Sequence, residues 1–289
     1  MLTSRLKTFP VSGKSSGERL QNFLKRHLGE DYSGKRIKQL IDSYGCKVNG
    51  KIELFSSYKV MIGDKVQVDI EKLTLKSVET VNILYEDQDF LICDKPANTI
   101  SDSKVFAKLL QRNTLYPVHR LDKDTTGVIL LAKNVAMQKL LEELFKKRQI
   151  EKVYHALVEG RSAKPVFKVE NTLGKLSQYE GQSIWGAVNE DGVYALTHFE
   201  VLKRAKDHFF IKCMPFTGRT HQIRVHLAEE GLPILGDIHY ARDKEFKYSA
   251  ARSLLHAYSL SFIHPKQNAT IHIIAPYPKD FKQALSEIF

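Results

Sequence analysis

The chain has few cysteines and no apolar run long enough to cross a membrane. Its three cysteines, Cys46, Cys93 and Cys213, are scattered without a close pair, which argues against a disulfide framework or a zinc knuckle and favours a reducing compartment. The longest apolar run, Val128–Ala132, is far too short for a transmembrane helix, and residues 1–16 lack the apolar core of a signal peptide. We therefore expect a cytoplasmic protein without a membrane partner.

Acidic residues are too few to balance the basic ones. The 289 residues include 44 Lys and Arg against 33 Asp and Glu, which gives a formal charge of +11. Such a charge attracts phosphate-bearing partners and predicts binding that weakens as salt rises. Nucleic acid is the first partner to consider, although charge alone does not distinguish it from a basic surface kept for solubility. The length predicts a large domain with a smaller appendage.

The amino-terminal part has the pattern of a small α plus β module. Apolar residues recur with helical spacing over 20–28 and again over 37–44, where Gly45 ends the second pattern. Asn49-Gly50 supplies the positive φ angles of a tight hairpin turn, and apolar residues alternate over 66–70 as in a strand. These patterns predict two short helices followed by a hairpin and a further strand.

The second predicted helix begins with three cations, Lys35, Arg36 and Lys38, which lie off its apolar stripe. Together with the hairpin, this layout resembles the S4 RNA-binding module over residues 17–71, and the resemblance implies that these cations contact RNA. The alternative, a helix face that is only solvated, stays open. Residues 72–80 carry no strong periodic signal and are interpreted as a linker.

A larger unit follows from residue 81 to residue 289. Short β-rich runs alternate with helical patterns and predict an α+β domain, with a mixed, mainly antiparallel sheet and packed helices. The predicted strands cover 83–86, 90–93, 127–132, 152–158, 197–202, 209–214, 253–262 and 270–274. The predicted helices lie around 140–145, around 223–227 and at the carboxyl terminus.

One polar stretch, His119-Arg120-Leu121-Asp122, leads into an apolar strand. If this stretch is extended, period-two geometry places Arg120 and Asp122 on one face, which gives the carboxylate a neighbouring cation. Taken by itself, an Asp before Thr-Thr-Gly is more typical of a turn than of a reactive group. The assignment of Asp122 therefore depends on the rest of the chain.

The stretch around Asp122 is one of five ordered motifs that resemble the RluA family of pseudouridine synthases. The motifs cover 83–96, 116–133, 151–160, 217–227 and 233–237, followed by Leu255-His-Ala and His264-Pro265. The similarity extends over about residues 81–289, and the S4-like module in front of it fits the same family. The resemblance implies the pseudouridine synthase fold and the isomerisation of uridine to pseudouridine in RNA, without a metal or another cofactor.

The same resemblance assigns three site residues. Asp122 would be the essential carboxylate, Tyr154 would lie against the uracil face and take part in proton removal, and Arg224 would pair with Asp122. The reaction breaks the C1′–N1 bond and remakes it through C5, so it needs a nucleophile or charge stabiliser in a dry site. Attack at the base, attack at the sugar and a glycal-like route all stay open.

Two neighbours of Asp122 are candidate substrate contacts. Arg120 is predicted to help the uridine leave the RNA stack, with a structural salt bridge as the alternative. His119 is either a second substrate contact or a packing residue. Because His119, His221 and His226 lack a compact ligand pattern, they do not indicate a metal site.

The expected substrate is large-subunit rRNA, because S4-bearing members of the family commonly act there; tRNA is the alternative, and a monomer is expected. Two other functions remain possible in principle. An idle RNA-binding or ribosome-assembly protein would need no Asp122, and a hydrolytic enzyme would release the base. The sequence offers no second acidic residue placed to activate water, which ranks hydrolysis last.

Overall fold

The computed structural model describes residues 6–29, 31–71, 81–161, 164–179, 182–241 and 246–289. These residues fall into two units, one of which contains residues 6–71 and the other most of the remainder. The predicted linker, residues 72–80, lies outside the described residues. The α+β class and the mainly antiparallel sheet predicted from the sequence are confirmed.

The amino-terminal unit packs two helices on a small antiparallel sheet. Its elements are β1 (Leu6–Pro10), α1 (Leu20–Leu28), α2 (Gly34–Asp42), β2 (Cys46–Val48), β3 (Lys51–Ile52) and β4 (Lys65–Asp69), with the strand order β1-β4-β2-β3. Phe23 and Ile37, one on each apolar helix face, are completely buried together with Val66 of the sheet. Strand β1 is not predicted from the sequence, because its side chains are largely exposed and do not alternate in polarity.

Two turns of this unit depend on particular residues. Asn49 and Gly50 have φ angles of 53° and 81°, which confirms the predicted hairpin turn. At the end of α2 the positive φ belongs to Tyr44, at 61°, and not to Gly45. Gly45 is needed for another reason, because a Cβ atom there would lie 2.3 Å from Cδ1 of Leu40.

The larger unit is built on an eleven-stranded sheet. Its strands are β5 (Asn82–Glu86), β6 (Phe90–Lys95), β7 (Tyr116–Pro117), β8 (Thr126–Ala132), β9 (Glu151–Glu159), β10 (Val166–Tyr179), β11 (Gln182–Ala187), β12 (Val193–Arg204), β13 (His208–Pro215), β14 (Leu255–Ile263) and β15 (Thr270–Ile274). Nine follow the order β11-β10-β12-β13-β9-β14-β8-β6-β5, while β15 pairs with β14 and β7 with β8. Its described helices are α3 (Ser103–Leu109), α4 (Val135–Lys146), α5 (Gln222–Glu229) and α6 (Lys279–Ile288).

Every predicted strand and helix of this unit is present, whereas α3, the two-residue strand β7 and the hairpin β10–β11 are not predicted. Helix α3 is short and is capped by Asp102, whose side chain accepts hydrogen bonds from two backbone N–H groups. Strand β10 exposes apolar side chains such as Val166 and Leu176 and therefore lacks the alternation of a half-buried strand.

Strand β8 is buried along its whole length and leads away from the polar stretch that contains Asp122. It pairs antiparallel with β6 and parallel with β14, the one parallel pair among the described registers. Gly127 has a φ of 108°, and a Cβ atom there would lie 2.1 Å from the carbonyl oxygen of Ala257. This close approach fixes the start of β8, and with it the loop that precedes β8, against β14.

Candidate active site

A cleft in the larger unit gathers most of the predicted site residues. It is bounded by the loop 120–125, strand β9, the turn 215–221 and the start of α5. Arg120, Asp122, Tyr154 and Arg224 line the cleft, whereas His119 does not.

Asp122 lies in an irregular loop and not in an extended strand, so the period-two reason for placing it beside Arg120 does not apply. Its carbonyl accepts a hydrogen bond from the N–H of Thr125 at 3.1 Å. On the other side, the N–H of Leu121 donates to the hydroxyl of Ser101 at 3.0 Å. The loop is thus fixed on both sides of the carboxylate, which is 19% exposed.

The same loop is anchored by a completely buried cation, Lys95. Its ammonium group donates to the carbonyl oxygens of Pro96, Thr99 and Lys123 at 3.0, 2.8 and 3.0 Å. Three acceptors are what an ammonium group can use. Since Lys123 directly follows Asp122, this contact links the motif at 83–96 to the candidate reactive residue.

Arg224 of α5 connects two carboxylates. Its Nη1 donates to Oδ2 of Asp122 at 3.1 Å, and its Nε and Nη2 donate to the two oxygens of Asp237 at 2.6 and 2.9 Å. The guanidinium group also lies over the ring of Tyr240, 5.1 Å from its centroid. Asp237 ends the motif 233–237 but is not predicted as a site residue. The reason is that a local sequence pattern does not show which cation this carboxylate would pair with.

The charges of Arg224 and Asp237 stabilise each other. Burial would raise the pKa of Asp237, but the guanidinium group of Arg224 outweighs it and lowers that pKa to about 2. Burial likewise opposes the charge of Arg224, yet the carboxylate of Asp237 holds the pKa of Arg224 well above its usual value. Arg224 is therefore always charged and is held in position when it contacts Asp122.

Tyr154 extends from β9 into the cleft. In the sheet it lies opposite Cys213 of β13 and Ala257 of β14. Burial raises the pKa of its hydroxyl group, and the negative charge of Asp122 raises that pKa further. Tyr154 is therefore a neutral phenol at neutral pH.

The two predicted substrate contacts occupy different places. Arg120 is exposed at the cleft and forms no ion pair with a carboxylate in the described part of the chain. The Nε2 atom of His119 accepts a hydrogen bond from the N–H of Leu130 at 3.0 Å, and its ring lies 4.8 Å from that of Phe145. Burial lowers the pKa of His119 to about 3. These contacts match the packing alternative, and a substrate contact by His119 stays a prediction.

Lys152 and His221 line the cleft although neither is predicted as a site residue. The ammonium group of Lys152 lies 3.3 Å from the carbonyl oxygen of Thr217, and burial followed by the charges of Arg148 and Arg219 lowers its pKa to about 8. Both residues fall inside motifs recognised in the sequence. Their place in the cleft depends on tertiary structure that spacing does not show.

The predicted RNA-binding cations of the amino-terminal unit lie at the start of α2. Lys35 and Lys38 are exposed and Arg36 is half-buried. Lys38 is 3.4 Å from Asp42 one turn later, while the backbone N–H of Arg36 is capped by the hydroxyl of Ser33. The side chains of Lys35 and Lys38 are thus open to solvent.

Two further findings concern the described residues. None of their helices is both long and apolar enough to span a membrane. No group of three or more His, Cys, Asp or Glu side chains among them is arranged to hold a metal ion.

A family model described as RNA pseudouridylate synthase matches residues 89–229. Ribosomal large subunit pseudouridine synthase C of Buchnera aphidicola subsp. Baizongia pistaciae is 32% identical over 305 residues, covering 96% of each chain. The protein with that name from Escherichia coli K12 is 30% identical and covers 99% of this chain and 98% of its own. The chain belongs to the RluA-type family of RNA pseudouridylate synthases. This pseudouridylate synthase is an isomerase of RNA uridines, as predicted.

A solved structure supports the fold of this pseudouridylate synthase. Human RNA Pseudouridylate Synthase Domain Containing 4 superposes with a TM-score of 0.59 and 26% identity, over 71% of this chain and 92% of that chain. The shared architecture confirms the predicted pseudouridine synthase fold.

Proposed function

We propose that this enzyme converts uridine to pseudouridine in large-subunit rRNA and that Asp122 is its reactive carboxylate. The observation that carries the proposal is the arrangement of Asp122 in the cleft, with one oxygen held by Arg224, which is itself fixed by Asp237. The names of the two curated relatives support large-subunit rRNA as the substrate. The alternative substrate, tRNA, is assayed in parallel in the test below.

The two oxygens of Asp122 have different surroundings. Oδ2 accepts the hydrogen bond from Arg224, whereas Oδ1 has no hydrogen-bond partner among the described residues. The guanidinium group of Arg224 keeps its positive charge beside the carboxylate and holds Oδ2 in place. Oδ1 is then the oxygen available to the sugar or the base of a uridine.

Tyr154 and Arg120 complete the proposed site. The neutral phenol of Tyr154 offers an apolar ring to the uracil face and a polar hydroxyl group near Asp122. Arg120, exposed at the cleft, is placed to occupy the gap left when the uridine leaves its stack. The amino-terminal unit is the proposed S4-like module, in which Lys35, Arg36 and Lys38 contact phosphate groups and add affinity.

The test is an assay of the purified full chain on transcribed large-subunit rRNA and on tRNA, with pseudouridine mapped at nucleotide resolution. We expect Asp122→Asn to lower the rate at least about a thousandfold while RNA binding persists, because the amide cannot serve as a nucleophile or anion. Asp124→Asn is the matched control, since this neighbouring carboxylate does not line the cleft.

Three outcomes would contradict the proposal. Full activity of Asp122→Asn would remove Asp122 from the chemistry. Release of free uracil would indicate a hydrolytic enzyme. Modification of tRNA but not of rRNA would contradict large-subunit rRNA as the substrate.

A further inference from the structure

His221 faces the oxygen of Asp122 that Arg224 does not hold. The Nε2 atom of His221 lies 3.8 Å from Oδ1 of Asp122, whereas Nη1 of Arg224 lies 3.1 Å from Oδ2. A distance of 3.8 Å is too long for a hydrogen bond. It is short enough for one substrate group, placed beside both side chains in the cleft, to form a hydrogen bond with each of them.

The contacts of His221 indicate which ring nitrogen carries the proton. Nδ1 lies 2.7 Å from the hydroxyl oxygen of Tyr240, which accepts a hydrogen bond from the backbone N–H of Trp185 at 3.2 Å. The Tyr240 hydroxyl can therefore donate its own proton to Nδ1, which leaves the imidazole proton on Nε2. In the opposite tautomer, a lone pair of Nε2 would face the carboxylate of Asp122.

The imidazole is also uncharged. Burial lowers the pKa of His221 to about 4, and the nearby Arg224 and Arg120 act in the same direction, while Asp122 and Asp237 partly oppose them. At neutral pH the side chain therefore presents a neutral N–H donor to the cleft.

The backbone holds His221 in an unusual conformation. Its φ of 57° and ψ of 14° are left-handed, directly before α5, and such strained non-glycine residues cluster at functional sites. The turn before it is fixed by Gln222, whose side-chain oxygen accepts from the Thr217 hydroxyl at 2.7 Å and from the Arg219 N–H at 3.0 Å. The position of the imidazole is thus set by the fold before any substrate binds.

The group that fits between a donor and a carboxylate must both accept and donate. A carbonyl oxygen of uracil only accepts and its N3–H only donates, but a hydroxyl group does both. Within an RNA chain the free sugar hydroxyl is the 2′-hydroxyl, next to C1′, where the glycosidic bond is broken. We propose that His221 and Asp122 together bind the 2′-hydroxyl of the target uridine and so select RNA over DNA. This inference rests on the proposed function, which places a uridine in the cleft.

The test compares two oligonucleotides that span a site mapped in the assay above. They differ only at the target nucleotide, which is uridine in one and 2′-deoxyuridine in the other. The enzymes are wild type, His221→Asn and His221→Gln. Asn tolerates the left-handed backbone and can keep the contact with Tyr240, but it ends short of the Nε2 position. Gln places an amide N–H near that position.

We expect the wild type to prefer uridine by at least about tenfold in kcat/KM, because the deoxy substrate leaves polar groups of the site unpaired. His221→Asn should lower kcat/KM for uridine by a similar factor and hardly change it for deoxyuridine, so that the ratio approaches one. His221→Gln should restore part of the preference for uridine over deoxyuridine. Thermal unfolding of all three proteins checks that each is folded.

The ratio of kcat/KM for the uridine substrate to that for the deoxyuridine substrate distinguishes a contact with the 2′-hydroxyl from a purely structural role of His221. An equal fall for both substrates in His221→Asn, with the ratio unchanged, would overturn the inference and leave the proposed function intact. A wild type that does not discriminate would also overturn it. A wild type that forms no pseudouridine in the uridine oligonucleotide would overturn the proposed function as well.

Discussion

The cations at the start of α2 and Arg224 in the cleft differ in how they are held. Lys35 and Lys38 are exposed, and the single carboxylate near Lys38 is 3.4 Å away. Arg224 is buried and is held through two hydrogen bonds by the equally buried Asp237. Solvent screens the first kind of charge, which suits attraction of a polyanion, while the second kind fixes geometry. Under the proposed function, binding of RNA and chemistry on its base would therefore depend on separate sets of charges.

The largest expected effect is that of Asp237→Asn, which removes the carboxylate that holds the buried Arg224. Removing one partner of a buried ion pair leaves the other charge uncompensated, and we expect the free energy of unfolding to fall by about 3 kcal/mol. We expect the single-turnover rate at saturating RNA to fall at least about a hundredfold, because Arg224 is no longer fixed beside Asp122. Urea unfolding and rapid-quench kinetics measure the two effects.

The control for this variant is Glu143→Gln on α4. It changes a carboxylate to an amide in the exposed pair of Glu143 with Lys146, 3.5 Å apart. Such pairs contribute at most about 1 kcal/mol. Equal losses of stability in the two variants would show that burial does not distinguish the pairs.

The second prediction concerns the exposed cations. Replacing Lys35, Arg36 and Lys38 with Gln should raise the Kd for RNA about tenfold at physiological salt and lower the slope of log K against log salt by about two. The rate at saturating RNA should not change, since these residues do not line the cleft. Filter binding over a salt series provides the measurement.

The matched control removes the same charge elsewhere, from the exposed Lys203, Lys279 and Lys282. If it weakens binding equally, net charge alone explains the affinity and the S4-like interpretation of α2 is wrong.

The smallest expected effect concerns Lys152, a cation at the cleft whose pKa is lowered to about 8. A lysine loses its charge as pH rises through its pKa, so its attraction for phosphate should fade between about pH 7 and pH 9. We expect the Kd of the enzyme for RNA to rise about threefold over this range. Lys152→Arg should remove this dependence, because a guanidinium group stays charged.

Binding is best measured with Asp122→Asn enzyme, so that no reaction intervenes. Parallel pH profiles for this enzyme with and without the additional Lys152→Arg change would indicate that another group titrates.

The sequence predicts residues whose motif and chemistry are local, and misses those whose role depends on a distant partner. Asp122, Tyr154 and Arg224 each lie in a contiguous motif, and they do meet in one cleft. Asp237 and His221 lie in motifs too. Their contacts with Arg224 and Asp122 arise only when α5, the turn after it and the loop before β8 come together.

The same division applies to the fold. The buried strand β8 is a continuous apolar run and α1 has a strong helical period, and both are predicted at nearly their true bounds. Strand β1 and the hairpin β10–β11 are half-exposed and held by pairing with neighbours, which leaves little trace in local hydrophobicity. His119 shows a further limit, because a polar residue beside Asp122 suggests chemistry while its ring nitrogen bonds to the backbone of β8.

The parallel pairing of β8 with β14 has a consequence for synthesis of the enzyme. Thr126 and His256 are neighbours in this pairing although 130 positions separate them along the chain. A chain made from its amino terminus can fold the unit that contains α2 early. In the sheet order, β14 lies between β9, which carries Tyr154, and β8, which follows the loop of Asp122, and β14 is among the last elements to be made. With RNA binding by this unit as proposed, the nascent chain would hold RNA well before it could modify it.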